Sequence, residues 1–158
     1  MHDEMPTPVA RRLGYAIKRA QHALRLCMDQ ALRPTGMTTA QYAVLCALEA
    51  EPGLSNARLA RAAFVTAQAM QGVLANLERG GILQRTPAPD NARILRARLT
   101  AKGTRTLARA HAAVRMVEAR MVASFGAAMV EPLTDALTRC AADLTASLTS
   151  DALADDTA

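Results

Sequence analysis

The sequence predicts a mainly α chain with a small β-hairpin wing, and two observations in one stretch, residues 64–99, predict it. The first is helical spacing. Met70, Val73, Leu74 and Leu77 recur at i, i+3, i+4 and i+7 and form one apolar stripe. Thr66 can cap the start of that helix, and Gly80 and Gly81 can end it. The opposite face carries Gln68, Gly72, Ala75 and Arg79, with Gln71 at its edge. It is short, polar and almost uncharged, unlike the Glu- and Lys-rich face that solvation alone would favour. The second observation is a change of period. Leu95, Ala97 and Leu99 alternate with Ile94, Arg96 and Arg98, the period of a strand. Strands over 82–86 and 94–99 would flank a turn-forming loop, 87–93, that contains Pro87, Pro89, Asp90 and Asn91. Helix, short strand, hairpin tip and return strand make the recognition helix and wing of a winged helix-turn-helix.

The remaining elements come in chain order. Residues 1–7 are expected to fray. A long first helix runs from residue 8 to about 32, with Leu13, Ile17, Ala20, Leu24, Cys27 and Ala31 along its apolar stripe. Pro34, Thr35 and Gly36 stop it. Thr38 and Gln41 have capping-box spacing for a second helix carrying Tyr42, Leu45, Cys46 and Leu48. Glu51, Pro52 and Gly53 break that helix. Ser55 caps a short third helix over 56–62, and Phe64 and Val65 turn the chain into the helix already described. Thr100 can cap a fifth helix from 101 to about 125, with Leu107, Ala110, Val114, Val117 and Met121 facing inward. Pro132 lies near the start of a sixth helix, where proline is tolerated. Leu133, Leu137, Cys140, Leu144 and Leu148 continue it. The expected organisation is a helical region (8–35 and 101–150), a winged helix-turn-helix lobe (37–100) and a loose acidic tail (151–158).

Composition bounds the function. The chain has 158 residues, 51% of them hydrophobic, enough for one domain with a core. No apolar run is long enough to span a bilayer. The polar start is not a secretory signal, so a cytoplasmic location is expected. Cys27, Cys46 and Cys140 are widely spaced and read as small buried hydrophobes, with no metal-ligand pattern. The net charge is +5, and its distribution is uneven. Arg79, Arg85, Arg93, Arg96, Arg98, Lys102 and Arg105 face Asp90 alone between residues 79 and 105, whereas the chain beyond is acidic on balance. A concentrated basic surface around a wing is the footprint of phosphate binding. Catalysis is not indicated: His2, His22 and His111 are scattered, and no nucleophile has a base at a recognisable spacing. There is no phosphate-cradling glycine loop or zinc-binding HExxH string, and no cofactor is implied.

Several strings in this order resemble the MarR family of bacterial transcription regulators. They are Thr38-Thr39-Ala40-Gln41-Tyr42-Ala43-Val44-Leu45, Gly53-Leu54-Ser55-Asn56-Ala57-Arg58-Leu59-Ala60, and the run from Leu74 to Arg85. Asp90-Asn91-Ala92-Arg93 and Leu99-Thr100-Ala101-Lys102-Gly103 complete the set. The resemblance spans roughly residues 13–148. It implies a winged helix-turn-helix homodimer whose long first helix and last two helices interlock with the partner. Many members place Arg directly after the wing Asp; here that position is Asn91, while Arg93 keeps a wing arginine available.

Residue chemistry supports binding to double-stranded DNA, expected as a pseudo-palindromic operator. The amides of Gln68 and Gln71 can read adenine in the major groove, Ala69 or Thr66 can touch a thymine methyl, and Gly72 and Ala75 permit close approach. Ser55, Arg58, Arg79 and Arg85 suit phosphate. Arg93 can enter a narrow minor groove, held in place by Asp90. In the resembling family, effectors bind, or oxidise a cysteine, where the dimerisation helices meet the DNA-binding lobe. Tyr15, His22, Arg25 and Met28 of the first helix and Tyr42 and Cys46 of the second are the candidates here, with Arg or His pairing an anionic aromatic ligand. The reading is a repressor relieved by a small molecule. Two alternatives stay open: a redox-sensing repressor using Cys27 or Cys46, and a winged-helix protein-interaction module without DNA binding.

Overall fold

The computed structural model describes residues 9–89 and 91–155. The chain forms two compact units, the first ending at Val117 and the second beginning at Glu118. This division differs from the expected one, because the core of the first unit takes in the end of the first helix and most of the fifth.

A short 3-10 turn, Val9–Arg11, precedes α1 (Leu13–Leu32), so the first helix starts later than its apolar pattern suggests. A second 3-10 turn, Arg33–Thr35, ends it, and the Thr35 hydroxyl donates to the Leu32 carbonyl at 2.6 Å. Helix α2 (Thr39–Ala50) opens with the expected capping box: Thr38 Oγ1 accepts from Gln41 N, and Gln41 Oε1 accepts from Thr38 N. Helix α3 is Asn56–Ala62. Ser55 has cap geometry, but its side chain makes no cap bond, so the expected cap is absent. Helix α4 (Ala67–Arg79) starts at Thr66, whose Oγ1 accepts from Ala69 N. Its end is a Schellman motif. Ile82 N bonds the Leu77 carbonyl and Gly81 N bonds that of Glu78, with Gly81 rather than Gly80 in the left-handed region at φ 67°.

Strands β1 (Leu83–Ala88) and β2 (Asn91–Leu99) form an antiparallel hairpin from Leu83↔Leu99 outward. Gly53 N and Leu54 O of the α2–α3 turn bond the backbone of Ala97, which ties the hairpin base to the helices. Helix α5 is Ala101–Phe125.

The core of the first unit is continuous. Met28 and Leu32 of α1 join Val44, Leu45 and Leu48 of α2, Leu59 of α3 and the Met70, Leu74 and Leu77 stripe of α4. Leu83 and Ala97 of the hairpin and Leu107, Ala110, Val114 and Val117 of α5 complete it. Only the last part of the expected α1 stripe is used: Leu13 is 73% exposed and Ile17 37%. Leu95 is also exposed, so the expected inward row of the return strand is buried only towards the hairpin base. The second unit contains the rest of α5, a 3-10 turn at Ala127–Met129 and α6 (Val130–Asp155). That helix runs past the expected start of the tail at Asp151; residues 156–158 lie outside the described residues. Cys27 and Cys46 are half-buried, but Cys140 is exposed, unlike the buried position expected for it.

Two contacts hold α4 to the hairpin and to the start of α5. At the far side of the hairpin, Thr100 N donates to the Ile82 carbonyl at 3.1 Å, the Thr100 hydroxyl donates to the Gly81 carbonyl at 2.7 Å, and Thr100 Oγ1 accepts from Gly103 N as the cap of α5. A Cβ on Gly103 would lie 2.0 Å from the Ile82 oxygen, so the helix start approaches that carbonyl as only glycine allows. On the near side, Glu78 takes the Arg85 guanidinium through Nε at 3.0 Å and Nη2 at 2.6 Å, and accepts from Arg85 N as well. Those hydrogen bonds hold the Glu78 carboxyl below its ordinary range.

Gly103→Ala should therefore destabilise the fold by about 1–3 kcal/mol, the usual cost of forcing a methyl into a packed site, read as a lowered urea midpoint. Glu78→Gln should lower stability at neutral pH by about 1 kcal/mol or less, because the pair is partly solvated. A depressed carboxyl stabilises the fold above its unfolded pKa and loses that contribution as pH falls through the folded value. The gap between Glu78→Gln and the parent should accordingly close in acid, as measured by urea unfolding across pH.

Candidate nucleic-acid interface

The α4 stripe decides which side of this helix is left over. With Met70, Leu74 and Leu77 buried, Gln68, Ala69, Gln71, Gly72 and Arg79 are all exposed, while Ala75 is half-buried. No described residue holds the side-chain amides of Gln68 or Gln71. A Cβ at Gly72 would meet nothing within 4 Å, so this face can be approached closely. Asn56 Nδ2 donates to the Ala67 carbonyl at 3.2 Å, which sets the start of α4 against the start of α3. The start of α4 is thus set by the Thr66 cap and one amide rather than by charge. Arg79 reaches Asn76 Oδ1 at 3.1 Å and keeps the rest of its donors exposed.

The hairpin is tighter than its sequence suggests. Ladder pairing extends into the stretch expected to be loop, so only Pro89 and Asp90 separate the strands. Asp90 and any hold it has on Arg93 lie outside the described residues. The register breaks between Pro87, opposite Leu95, and Ala88, opposite Asn91. Ala92, Arg93 and Ile94 are left bulging, because Pro87 has no N–H to continue the ladder. Arg93 therefore lies within β2 rather than at the tip. Its backbone N–H donates to Asn91 Oδ1 at 3.0 Å, a local Asx-type bond that gives this asparagine a structural part.

The basic residues divide into committed and uncommitted. Arg85 is paired with Glu78, and its side chain is largely covered, so the expected phosphate role is not open to it in this state. Arg58 makes a two-pronged pair with Glu51 at 2.5 and 2.7 Å, which also raises its pKa further. It stays exposed, but its fork is occupied. Lys102 Nζ caps the end of α4 on the Gly80 carbonyl. Arg93, Arg96 and Arg98 are exposed along β2, and Arg96 Nη1 lies 3.5 Å from the Gly53 carbonyl. Ser55, half-buried, keeps a hydroxyl that does no capping. The structure adds two residues that the pattern did not single out, Arg61 and Phe64, both exposed beside the start of α4. Arg61 lies in the last turn of α3 and Phe64 in the turn that follows, and neither breaks a helical period.

The candidate effector residues separate. Tyr15, His22 and Arg25 lie exposed on one side of α1, with Arg25 3.5 Å from Asp29. Met28 instead belongs to the core, because its position falls on the stripe that packs. Tyr42 is half-buried; its hydroxyl and His111 Nδ1 are 2.9 Å apart, with the rings edge-to-face, and His111 Nε2 is 3.0 Å from Glu49 Oε2. Cys46 is half-buried against the core. His111, which the sequence left among scattered histidines, thus links α2 to α5. Among the described residues no group of His, Cys, Asp and Glu could hold a metal.

Comparison with known proteins agrees with this geometry. A MarR family model matches residues 35–94, the helix-turn-helix and most of the wing. The HTH-type transcriptional repressor Rv2887 of Mycobacterium tuberculosis is 43% identical over 111 residues, covering 70% of this chain and 80% of the repressor. The transcriptional repressor CouR, solved bound to a 23-mer DNA duplex, superposes with a TM-score of 0.79 at 30% identity over 89% of this chain and 99% of CouR. Rv2887 in complex with p-aminosalicylic acid superposes with a TM-score of 0.69 at 38% identity over 82% of this chain and 98% of that one. A helix-turn-helix with an exposed amide face, an arginine-bearing hairpin and this extent of likeness lead to one conclusion: the chain belongs to the MarR family of winged helix-turn-helix transcription regulators.

Proposed function

We propose that this chain is a homodimeric repressor that binds a pseudo-palindromic operator and leaves it when a small anionic aromatic ligand binds. The observation that carries the DNA reading is the exposed face of α4, whose Gln68 and Gln71 amides are held by no described residue and which adjoins uncommitted arginines. Amides in the major groove read bases, and arginines around them bind phosphates or a narrow minor groove. The similarity to repressors, one of them solved on a DNA duplex, supports the same reading.

Dimerisation rests on apolar surface. Leu13 and Ile17 of α1, and Leu133, Leu137 and Leu144 of α6, are exposed on the single chain. Helices gain stability chiefly by covering such stripes, and a second copy of the same surface covers them with two-fold symmetry. The symmetry then places two α4 helices in successive major grooves, with half-sites about one helical turn, ~10–10.5 bp, apart. The ligand class rests on chemistry and on likeness. Tyr15, His22 and Arg25 offer an aromatic ring and cationic groups on one side of α1, and the similar Rv2887 was solved with p-aminosalicylic acid. Tyr42 and His111 add a hydroxyl and an imidazole whose mutual bond a carboxylate could compete for.

Operator binding in a gel shift at two salt concentrations tests the reading, since phosphate-driven binding must weaken as salt rises. Arg93→Ala should cost about 1–3 kcal/mol of DNA affinity with folding unchanged; undiminished affinity would remove the wing from the interface. Leu137→Asp with Leu144→Asp places charge on residues 43% and 64% exposed in one chain. It should therefore spare the fold, yield monomers in sedimentation and abolish tight operator binding. A parent protein that sediments as a monomer while binding one asymmetric site at full strength would refute the dimer.

A further inference from the structure

Phe64 is the anomaly of the DNA-facing lobe. It lies in the turn between α3 and α4 and is 96% exposed, the largest exposure of any large hydrophobic residue described. Its φ is +54°, the one positive value at a described residue other than glycine. A bulky side chain in the left-handed region is strained, and glycine or asparagine would hold this turn at less cost. The turn gains little locally from the ring: Phe64 N donates to the Arg61 carbonyl at 3.2 Å through the backbone, and Val65, not Phe64, packs on the core. Strain of this kind persists where function requires it.

Position indicates the function. Phe64 is two residues before Thr66, the cap of α4, and four before Gln68. In a helix-turn-helix the start of the recognition helix is the end that meets base edges. An aromatic ring there stands near in sequence to exposed Gln68 and Ala69 of α4 and to exposed Arg61 of α3. Base edges in the major groove offer an apolar ring one partner, the C5-methyl of thymine. We infer that Phe64 is a specificity-determining residue that packs on a thymine methyl of each operator half-site and is covered only in the DNA complex. This inference rests on the DNA-binding reading above.

The test uses the full-length protein and its footprinted operator, together with operators in which each thymine in turn is replaced by uracil, which lacks only the methyl. For the parent protein, one symmetry-related thymine per half-site, next to the bases protected by α4, should lose affinity on conversion to uracil. Phe64→Asn, which suits the left-handed turn, should unfold at or above the parent temperature. It should bind the natural operator about 5- to 50-fold more weakly, in the range of a lost base-pair contact, and be indifferent to uracil at that thymine. Phe64→Leu, which keeps an apolar side chain, should retain part of the methyl dependence. Unchanged operator affinity in Phe64→Asn overturns the inference. So does weaker binding without any thymine whose methyl matters only when Phe64 is present. A uracil scan of the parent that finds no sensitive thymine overturns it even if the asparagine variant does not fold. Failure of the parent to bind any duplex would instead remove the DNA-binding reading on which the inference stands.

Discussion

The carbonyl of Ile82 is the joint on which the DNA-binding lobe turns. It receives the N–H of Thr100, whose hydroxyl donates to the neighbouring Gly81 carbonyl, and Gly103 sits against it at a distance no larger residue permits. Ile82 N at the same time closes the Schellman motif of α4 on Leu77. One residue therefore ends the recognition helix, begins the wing and anchors the first turn of α5. Lys102 adds a cation to the end of α4 through the Gly80 carbonyl. The whole wing leaves and returns within this joint, so α4 and the start of α5 are held as one piece although about twenty residues of chain separate them.

A second constraint is how charge is allotted. Two of the lobe's arginines are held in carboxylate pairs. Glu78 draws Arg85 onto the junction of α4 and β1, and Glu51 draws Arg58 across the α2–α3 turn. Those pairs position backbone. Of the arginines without a carboxylate partner among the described residues, Arg93, Arg96 and Arg98 lie exposed along β2, and Arg61 and Arg79 lie exposed on α3 and α4. The division makes chemical sense: bidentate pairing is a strong, directional use of a guanidinium near a helix junction, whereas contact with a polyanion requires a cation that has no competing partner.

The face of α1 shows the same economy at larger scale. Its last turns supply Met28 and Leu32 to the core, while Leu13, Ile17, Tyr15 and Leu26 stay exposed. A single helix therefore contributes to the lobe at one end and presents apolar and aromatic surface at the other. The proposed dimer and the proposed ligand both draw on that free end. The Tyr42–His111–Glu49 chain lies where α2 meets α5, inside the unit that carries the recognition helix.

The order of the elements and several of their ends were readable from the chain alone. The capping box at Thr38, the cap at Thr66, the span of α3 and the start of α5 after Thr100 are all set by residues within a few positions of one another. The outward face of α4 was readable too, because helical spacing places Gln68, Gln71 and Gly72 away from Met70, Leu74 and Leu77. Spacing states only where a side chain points about its own axis. What it meets there depends on elements far away in sequence, and there the chain was silent. It could not assign Arg58 to Glu51 or Arg85 to Glu78, send Met28 into the core, leave Leu13 and Ile17 uncovered, or pair Tyr42 with His111 across 69 positions. It also made the hairpin loop too long, since proline and asparagine signal turns locally while a ladder is extended by pairing with the other strand. Phe64 falls between the two cases: its place in the turn was visible, but its exposure and positive φ exist only once α3 and α4 are packed.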